Sequence, residues 1–310
     1  MKRLWPTLLL VVICIGGFWY ASSKDFFKEK KDEPKQVFTV KKEDVAGFSM
    51  QNGDSAIELQ QKDNVWTMTK PSPIPLNDFS AESWIDSFNL TTKDKTVEDN
   101  PSDLAKYGLD KPSQKFTVTM KDGSSKVISV GDPVPIPGFF YALASGSGEV
   151  FRLSEQQVTS LNKQQLDFME KSPIHTNYDQ VTSLSVDWKG VKWTLTKTEA
   201  DKKSYDANWK IGDRELKGAD ASNVLDKAIY LATDQLVKAA STVKMDAPEL
   251  RIEVKETDSG KETVTVYTGK SDGDNVWIAK QGGEWAYAIP AASMQELSDM
   301  GTKTPDQTAK

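Results

Sequence analysis

Asp44-Val45-Ala46-Gly47-Phe48-Ser49-Met50 is echoed by Gln180-Val181-Thr182-Ser183-Leu184-Ser185-Val186, and that echo decides the fold. Val45 and Val181 stand 181 − 45 = 136 positions apart, and Phe48/Leu184 and Ser49/Ser185 keep the offset. The order recurs downstream with small slippage. Trp66 is followed by Trp209, Asp122-Gly123 by Ser259-Gly260, and Val130-Gly131 by Thr268-Gly269. Phe151 precedes Tyr287, and Ser154-Glu155-Gln156-Gln157 precedes Ser293-Met294-Gln295-Glu296. Solenoid units run to roughly 20–50 residues, so a period this long marks two tandem domains. Duplication specifies architecture; it names no reaction.

At 310 residues the chain accommodates two ordinary domains. Charged residues make up 27% and hydrophobic ones 38%, a globular balance. A formal charge of −6 argues against nucleic-acid binding, which relies on a basic surface to displace counterions.

Lys2 and Arg3 precede an apolar run from Leu4 to Ala21, interrupted only by Pro6 and Thr7. Eighteen helical residues span about 27 Å, close to the hydrocarbon thickness of a bilayer. Trp5, Trp19 and Tyr20 sit at its two ends, where amphipathic rings favour the headgroup zone. Three fates compete: an uncleaved single-pass anchor over 1–21, cleavage after Ala21-Ser22-Ser23, and lipidation at Cys14. The run is long for a signal peptide, and Ile13 is a large residue to precede a lipidated cysteine, so the anchor is the reading adopted. The bulk of the chain is then extracytoplasmic. Cys14 is the only cysteine, so residues beyond the run carry no disulfide and no thiol chemistry.

The expected organisation is a charged stalk over 22–36, a first repeat over 37–170, a linker over 171–177, a second repeat over 178–301 and a polar, disordered tail over 302–310. In the first repeat, strands are expected at Val37–Val40, Val45–Gln51, Ala56–Gln61 and Val65–Thr69. A Pro-rich passage follows, then a helix with Ala81, Trp84, Ile85 and Phe88 on one stripe. Further strands are Phe116–Met120, Val127–Val130, Gly138–Ala144 and Val150–Leu153, closed by a Ser154/Gln157 cap. The second repeat follows the same plan. Its Lys189-Gly190 turn places Trp188 opposite Val191 and Val186 opposite Trp193, and its helix carries Ala221, Val224, Leu225 and Ala228. The fold class is α+β, each repeat a mainly antiparallel sheet with one main covering helix.

Trp66, the segment Leu104-Ala105-Lys106-Tyr107-Gly108-Leu109-Asp110-Lys111-Pro112, the hairpin through Asp122-Gly123 to Val130-Gly131-Asp132, and Phe140-Tyr141 resemble the bacterial family called domain of unknown function 4340. The likeness covers roughly residues 60–170 and, more loosely, the second repeat, where Met245-Asp246-Ala247-Pro248 replaces Tyr-Gly-Leu…Pro. The resemblance implies a membrane-anchored exported protein, similar to accessory components of ABC-type transport or gliding systems. It carries over no catalytic residue.

His175, the only histidine, reads as a linker residue, since a triad or a zinc site would require further partners. Asp272-Gly273-Asp274 reads as an acidic turn, not a calcium loop, because no glutamate follows at the required spacing. Glu155 and Glu249 are the carboxylates considered for hydrolysis, and nothing in the sequence unites them. No cofactor and no metal are expected. Trp66, Trp84, Trp188, Trp193 and Trp209 read as core; Trp277, Trp285 and the run Phe139-Phe140-Tyr141 are the aromatics with surface potential. Consecutive strand residues point to opposite faces, so one of Phe139 and Phe140 faces away from the core, available for partner contact. The expected function is a non-enzymatic protein-interaction or accessory module of the cell envelope. The alternatives are a cell-wall glycan-binding module and a carboxylate-dependent hydrolase.

Overall fold

The structure is a computed structural model that describes residues 15–20 and 35–302. Ile15–Tyr20 are helical; the rest of the expected anchor, Cys14, the stalk to residue 34 and the tail from 303 lie outside the described residues. Among the described residues, no helix is long and apolar enough to cross a membrane.

The chain is α+β, with two large antiparallel sheets and few helices. Its first half contains β1 (Lys35–Gln36), β2 (Val45–Asn52), β3 (Ser55–Lys62) and β4 (Val65–Lys70). Helix α1 (Ser80–Asn89) follows, then β5 (Thr92–Lys93), β6 (Lys95–Asp99), β7 (Gln114–Met120) and β8 (Ser125–Pro133). β9 (Phe139–Ala144), β10 (Glu149–Ser154), α2 (Glu155–Leu161) and α3 (Gln165–Phe168) complete it. The second half contains β11 (Val181–Trp188), β12 (Val191–Lys197), β13 (Asn208–Ile211), β14 (Arg214–Lys217) and α4 (Ala219–Ile229). It continues through β15 (Lys238–Ala239), β16 (Leu250–Asp258), β17 (Lys261–Asp272), β18 (Asn275–Lys280), β19 (Trp285–Pro290) and α5 (Ala291–Thr302).

The first sheet has the order β4-β3-β2-β7-β8-β9-β10-β6 and the second β14-β13-β12-β11-β16-β17-β18-β19-β15. Without β14 the two orders coincide. In each, the opening hairpins run out to one edge, the main helix carries the chain across, and a short strand forms the far edge. A four-strand meander then fills the middle. Register repeats as well. Phe48 pairs with Leu59 and Val118, and Leu184 pairs with Leu195 and Val254. Even the irregularity recurs: the ladder shifts between Val45 and Gly47, and again between Val181 and Ser183. The pairings Trp188↔Val191 and Val186↔Trp193 form as the two-residue turn requires.

Main helices cover the inner faces. Ala81, Trp84, Ile85 and Phe88 of α1 are buried, as are Ala221, Val224, Leu225 and Ala228 of α4. The Trp84 ring stacks on Phe48 at 4.2 Å, and its Nε1 donates to the Leu161 carbonyl at 2.8 Å, so the buried indole keeps a partner. The inner faces of both sheets belong to one continuous apolar cluster, into which Phe168 at the end of α3 and Met169 and Ile174 of the segment that follows are packed.

Three sequence expectations are corrected. Val37–Val40 is not a strand, because the Asn89 side chain replaces a sheet partner: its amide accepts from Val40 N–H at 2.8 Å and donates to Val40 C=O at 2.9 Å. Ser293 is not a helix cap, because α5 begins at Ala291, whose N–H is satisfied by the Asp274 carbonyl at 2.8 Å. Gly269 does not match Gly131. It pairs with Leu250 as Val130 pairs with Gln114, since the β16–β17 hairpin is longer than β7–β8.

Candidate partner-contact surface

The outer face of the first sheet carries the residues singled out for contact. Along β9, alternation sends Phe140 to the inner face, where it packs against the main core, and Phe139 and Tyr141 outward. All three are half-buried. Phe139 has the Arg152 guanidinium 4.9 Å above its ring, and Arg152 is in turn ion-paired with Asp94. Tyr141 meets Tyr107 edge to face at 4.9 Å.

Tyr107 belongs to a strap, Leu104–Pro112, that crosses this outer face. With Leu109 and Val150 it forms a small second core, flanked by Leu104, Tyr141 and Leu143. The strap is tied down at Glu98, which accepts from the Tyr107 hydroxyl and the Lys106 ammonium. Lys106 is the main cause holding the Glu98 carboxyl below its ordinary range, with Tyr107 second; Glu98 in turn pushes Lys106 and the Tyr107 phenol up. Gly108 ends the strap's single helical turn at φ 66, a conformation that favours glycine.

The second sheet repeats the device. Trp277, Ala279, Ala286 and Ala288 form its outer cluster, with Ala240, Val243 and Met245 packed on top. The 136-residue offset relates Leu104 to Ala240, Tyr107 to Val243, Leu109 to Met245, Tyr141 to Trp277, Leu143 to Ala279 and Val150 to Ala286. Trp277 is larger than Tyr141, whereas Ala240, Val243, Ala279 and Ala286 are smaller than their counterparts, so the second cluster keeps the arrangement with less side-chain volume. The Lys238 ammonium sits 4.3 Å from the Trp277 ring, and Trp285 faces the main core.

Other candidates are dispersed. His175 is exposed on the connecting segment, its N–H donating to the Tyr267 hydroxyl at 3.3 Å. Asp272-Gly273-Asp274 forms the β17–β18 turn, with Gly273 at φ 60. Glu155 opens α2 beside the first sheet, whereas Glu249 precedes β16 of the second and accepts from Ser271 at 2.6 Å. Among the described residues, no three of His, Cys, Asp and Glu gather to hold a metal ion.

Sequence reading passed over a cavity of about 330 Å³ on the second sheet, lined by Ser185, Asp187, Lys192, Thr194, Arg251 and Glu253. Its signal was the alternation of polar residues on β11, β12 and β16. It also passed over Tyr267, which stands where the first sheet has Ile128, and it matched Tyr287 to Phe151 without assigning the phenol a role. Both are buried, and burial is the main cause raising both phenols; Tyr287 is pushed up to about 12, with the Glu170 charge adding to it. The connecting segment passes here. It bonds to the first half through Glu170 N–H to Pro75 C=O (2.9 Å), and to the second through Ser172 Oγ to Ile229 C=O (2.8 Å) and Thr233 N–H to Lys171 C=O (3.0 Å).

Two sheets of one order, each with a strap over its outer face, define a duplicated α+β protein. The model of the family described as a domain of unknown function (DUF4340) matches residues 66–231, more than half of the chain, and the chain belongs to that family. The match runs from β4, through the first strap, to the residues just after α4. No curated protein and no solved structure matches the chain.

Proposed function

We propose that the chain is a non-enzymatic, single-pass module of the bacterial cell envelope, anchored by Leu4–Ala21, whose two homologous repeats lie outside the membrane and bind a partner protein. The family resemblance directs the search for that partner to ABC-type transport systems.

One observation carries this reading: matching positions in the two repeats keep their place in the fold and exchange side-chain chemistry. Tyr107 corresponds to Val243, and Arg152 to Ala288. Lys42 reaches Asp86 at 2.8 Å, whereas its counterpart Tyr178 lies beside Asp226. A contact surface tolerates such exchange; a reaction centre depends on particular groups. The carboxylates of Glu58, Glu98 and Glu149 are each lowered chiefly by a lysine partner, which suits ties between strands or from strap to strand and opposes general-acid work.

The test is cross-linking of the full-length chain in native membranes, followed by quantitative co-purification. Stoichiometric recovery of a specific membrane partner supports the reading, and a substrate turnover abolished by one carboxylate substitution overturns it. Glycan binding has one observation in its favour, the polar cavity over Ser185, Thr194 and Arg251. Equilibrium binding of soluble wall glycans to wild type and Arg251→Ala separates it.

A further inference from the structure

The two sheets differ at one edge. In the second, β13 is paired on its outer side by β14, with Trp209 opposite Leu216. In the first, the equivalent strand β4 is the end of the sheet. Trp66 is the counterpart of Trp209: it pairs with Gln61 as Trp209 pairs with Lys197, at the common offset. After β4 the chain reads Pro71-Ser72-Pro73-Ile74-Pro75, and proline cannot supply the N–H groups of a returning strand.

The geometry of this edge follows from its turn. Asp63 and Asn64 both have positive φ, 51° and 62°, so Lys62 and Val65 flank a two-residue turn and exchange hydrogen bonds. Alternation then gives Thr67 to Gln60 and turns the peptide groups of Trp66 and Met68 outward. The indole tells the same story: Trp209 Nε1 donates to the Ser204 carbonyl at 2.9 Å, whereas Trp66 Nε1 is buried without an acceptor among the described residues. Trp66 therefore turns its backbone to an open edge, while its packed indole keeps a buried N–H without an acceptor among the described residues.

Native edges are usually blunted by lysine, proline or a bulge. Here all three lie at one end of β4: the register shift opposite Glu58/Leu59, then Lys70, then Pro71. Val65 to Met68 are uncharged, and Val65 is 62% exposed.

We propose that this edge pairs antiparallel with the same edge of a second copy of the chain, joining two first sheets across a two-fold axis. The sequence of β4 is self-complementary in the register that pairs the outward peptide groups of Trp66 with those of Met68. Thr67 meets Thr67 of the second copy on the axis, and Trp66 meets its Met68. Thr–Thr and aromatic–thioether pairs are favourable across antiparallel strands. Lys70 falls opposite Asn64, so no like charges meet. The inference is independent of the foreign-partner reading, since a self-paired chain still has both outer faces free.

The experiment uses the full-length chain carrying Cys14→Ser, with Thr67→Cys or Val65→Cys added, oxidised mildly in native membranes, alongside sedimentation of the unsubstituted chain in detergent. Thr67→Cys is expected to form a disulfide-linked dimer in most molecules. Val65→Cys, displaced from itself by four residues or roughly 13 Å along the strands, is expected not to. The unsubstituted chain is expected to sediment as a reversible dimer. A monomer at all concentrations, or a dimer that Thr67→Cys fails to lock, overturns the proposal. Capture of a different protein by Thr67→Cys also overturns it and gives the edge to a foreign strand.

Discussion

The carbonyl oxygen of Tyr107 lies directly over Gly131, so closely that a Cβ at Gly131 would overlap it. Strap and sheet are thus fitted backbone to backbone, and the family-like segment Leu104–Pro112 has a structural task. Gly131→Ala is expected to lift the strap and cost about 1–3 kcal/mol, the usual range for overpacking. Thermal melts with hydrogen exchange at Tyr107–Leu109 check it; unchanged strap protection would contradict the fit. Gly269→Ala differs in kind: its Cβ would meet the Trp277 carbonyl oxygen of the neighbouring strand at 2.9 Å, so the substitution is expected to loosen the β17–β18 pairing and leave the second strap in place.

Core substitutions separate the two halves. Trp84→Ala removes the ring stacked on Phe48, and Leu225→Ala hollows out the inner face of the second sheet. Each is expected to cost about 2–5 kcal/mol. Hydrogen exchange should localise each loss to its own sheet, with the connecting segment the first shared region to respond. Equal loosening of both sheets by either variant would show one indivisible core.

Alkaline stability should depend on two buried tyrosines of the second half. Tyr267 and Tyr287 have phenols raised above the ordinary value of 10.0, the latter to about 12. Their folded state favours the protonated form, so the stabilisation is complete below pH 10 and is lost as pH rises from there towards 12. For Tyr287 the loss amounts to about 2–3 kcal/mol. Tyr287→Phe, matching Phe151 of the first sheet, should flatten the decline in denaturant midpoint over that window. An unchanged slope would remove this tyrosine from the explanation.

Much of this fold is legible in the chain, for physical reasons that also explain the misses. Phe48/Leu184 and Trp84/Val224 repeat because each inner face needs apolar residues at strand or helix spacing. β6 and β15 leave no such trace: they are short edges held by backbone ladders to β10 and β19. The straps are equally hard to read. Leu104, Tyr107 and Leu109 follow neither period, and only the packed outer face of the sheet gives them a partner. Ser293 shows the opposite failure, a capping pattern with correct spacing whose task is already performed by the Asp274 carbonyl. For the contact surface, alternation along β9 split Phe139 from Phe140 and left open which faced outward; Arg152 over the Phe139 ring identifies it.

His175 should be dispensable. It is exposed and engages Tyr267 through its backbone N–H, which alanine retains. His175→Ala is expected to leave both the melting temperature and partner recovery unchanged; a loss of either would give the imidazole a role that this account denies it.

The central claim is that an outer surface, and not an ionisable group, carries the function. The most direct measurement compares partner recovery from native membranes for the full-length chain and for Phe139→Glu, with thermal melts of both. Phe139 is half-buried on the outer face, away from the main core. The account predicts that Phe139→Glu melts within a few degrees of wild type and recovers several-fold less partner. Undiminished recovery by a folded Phe139→Glu would contradict it.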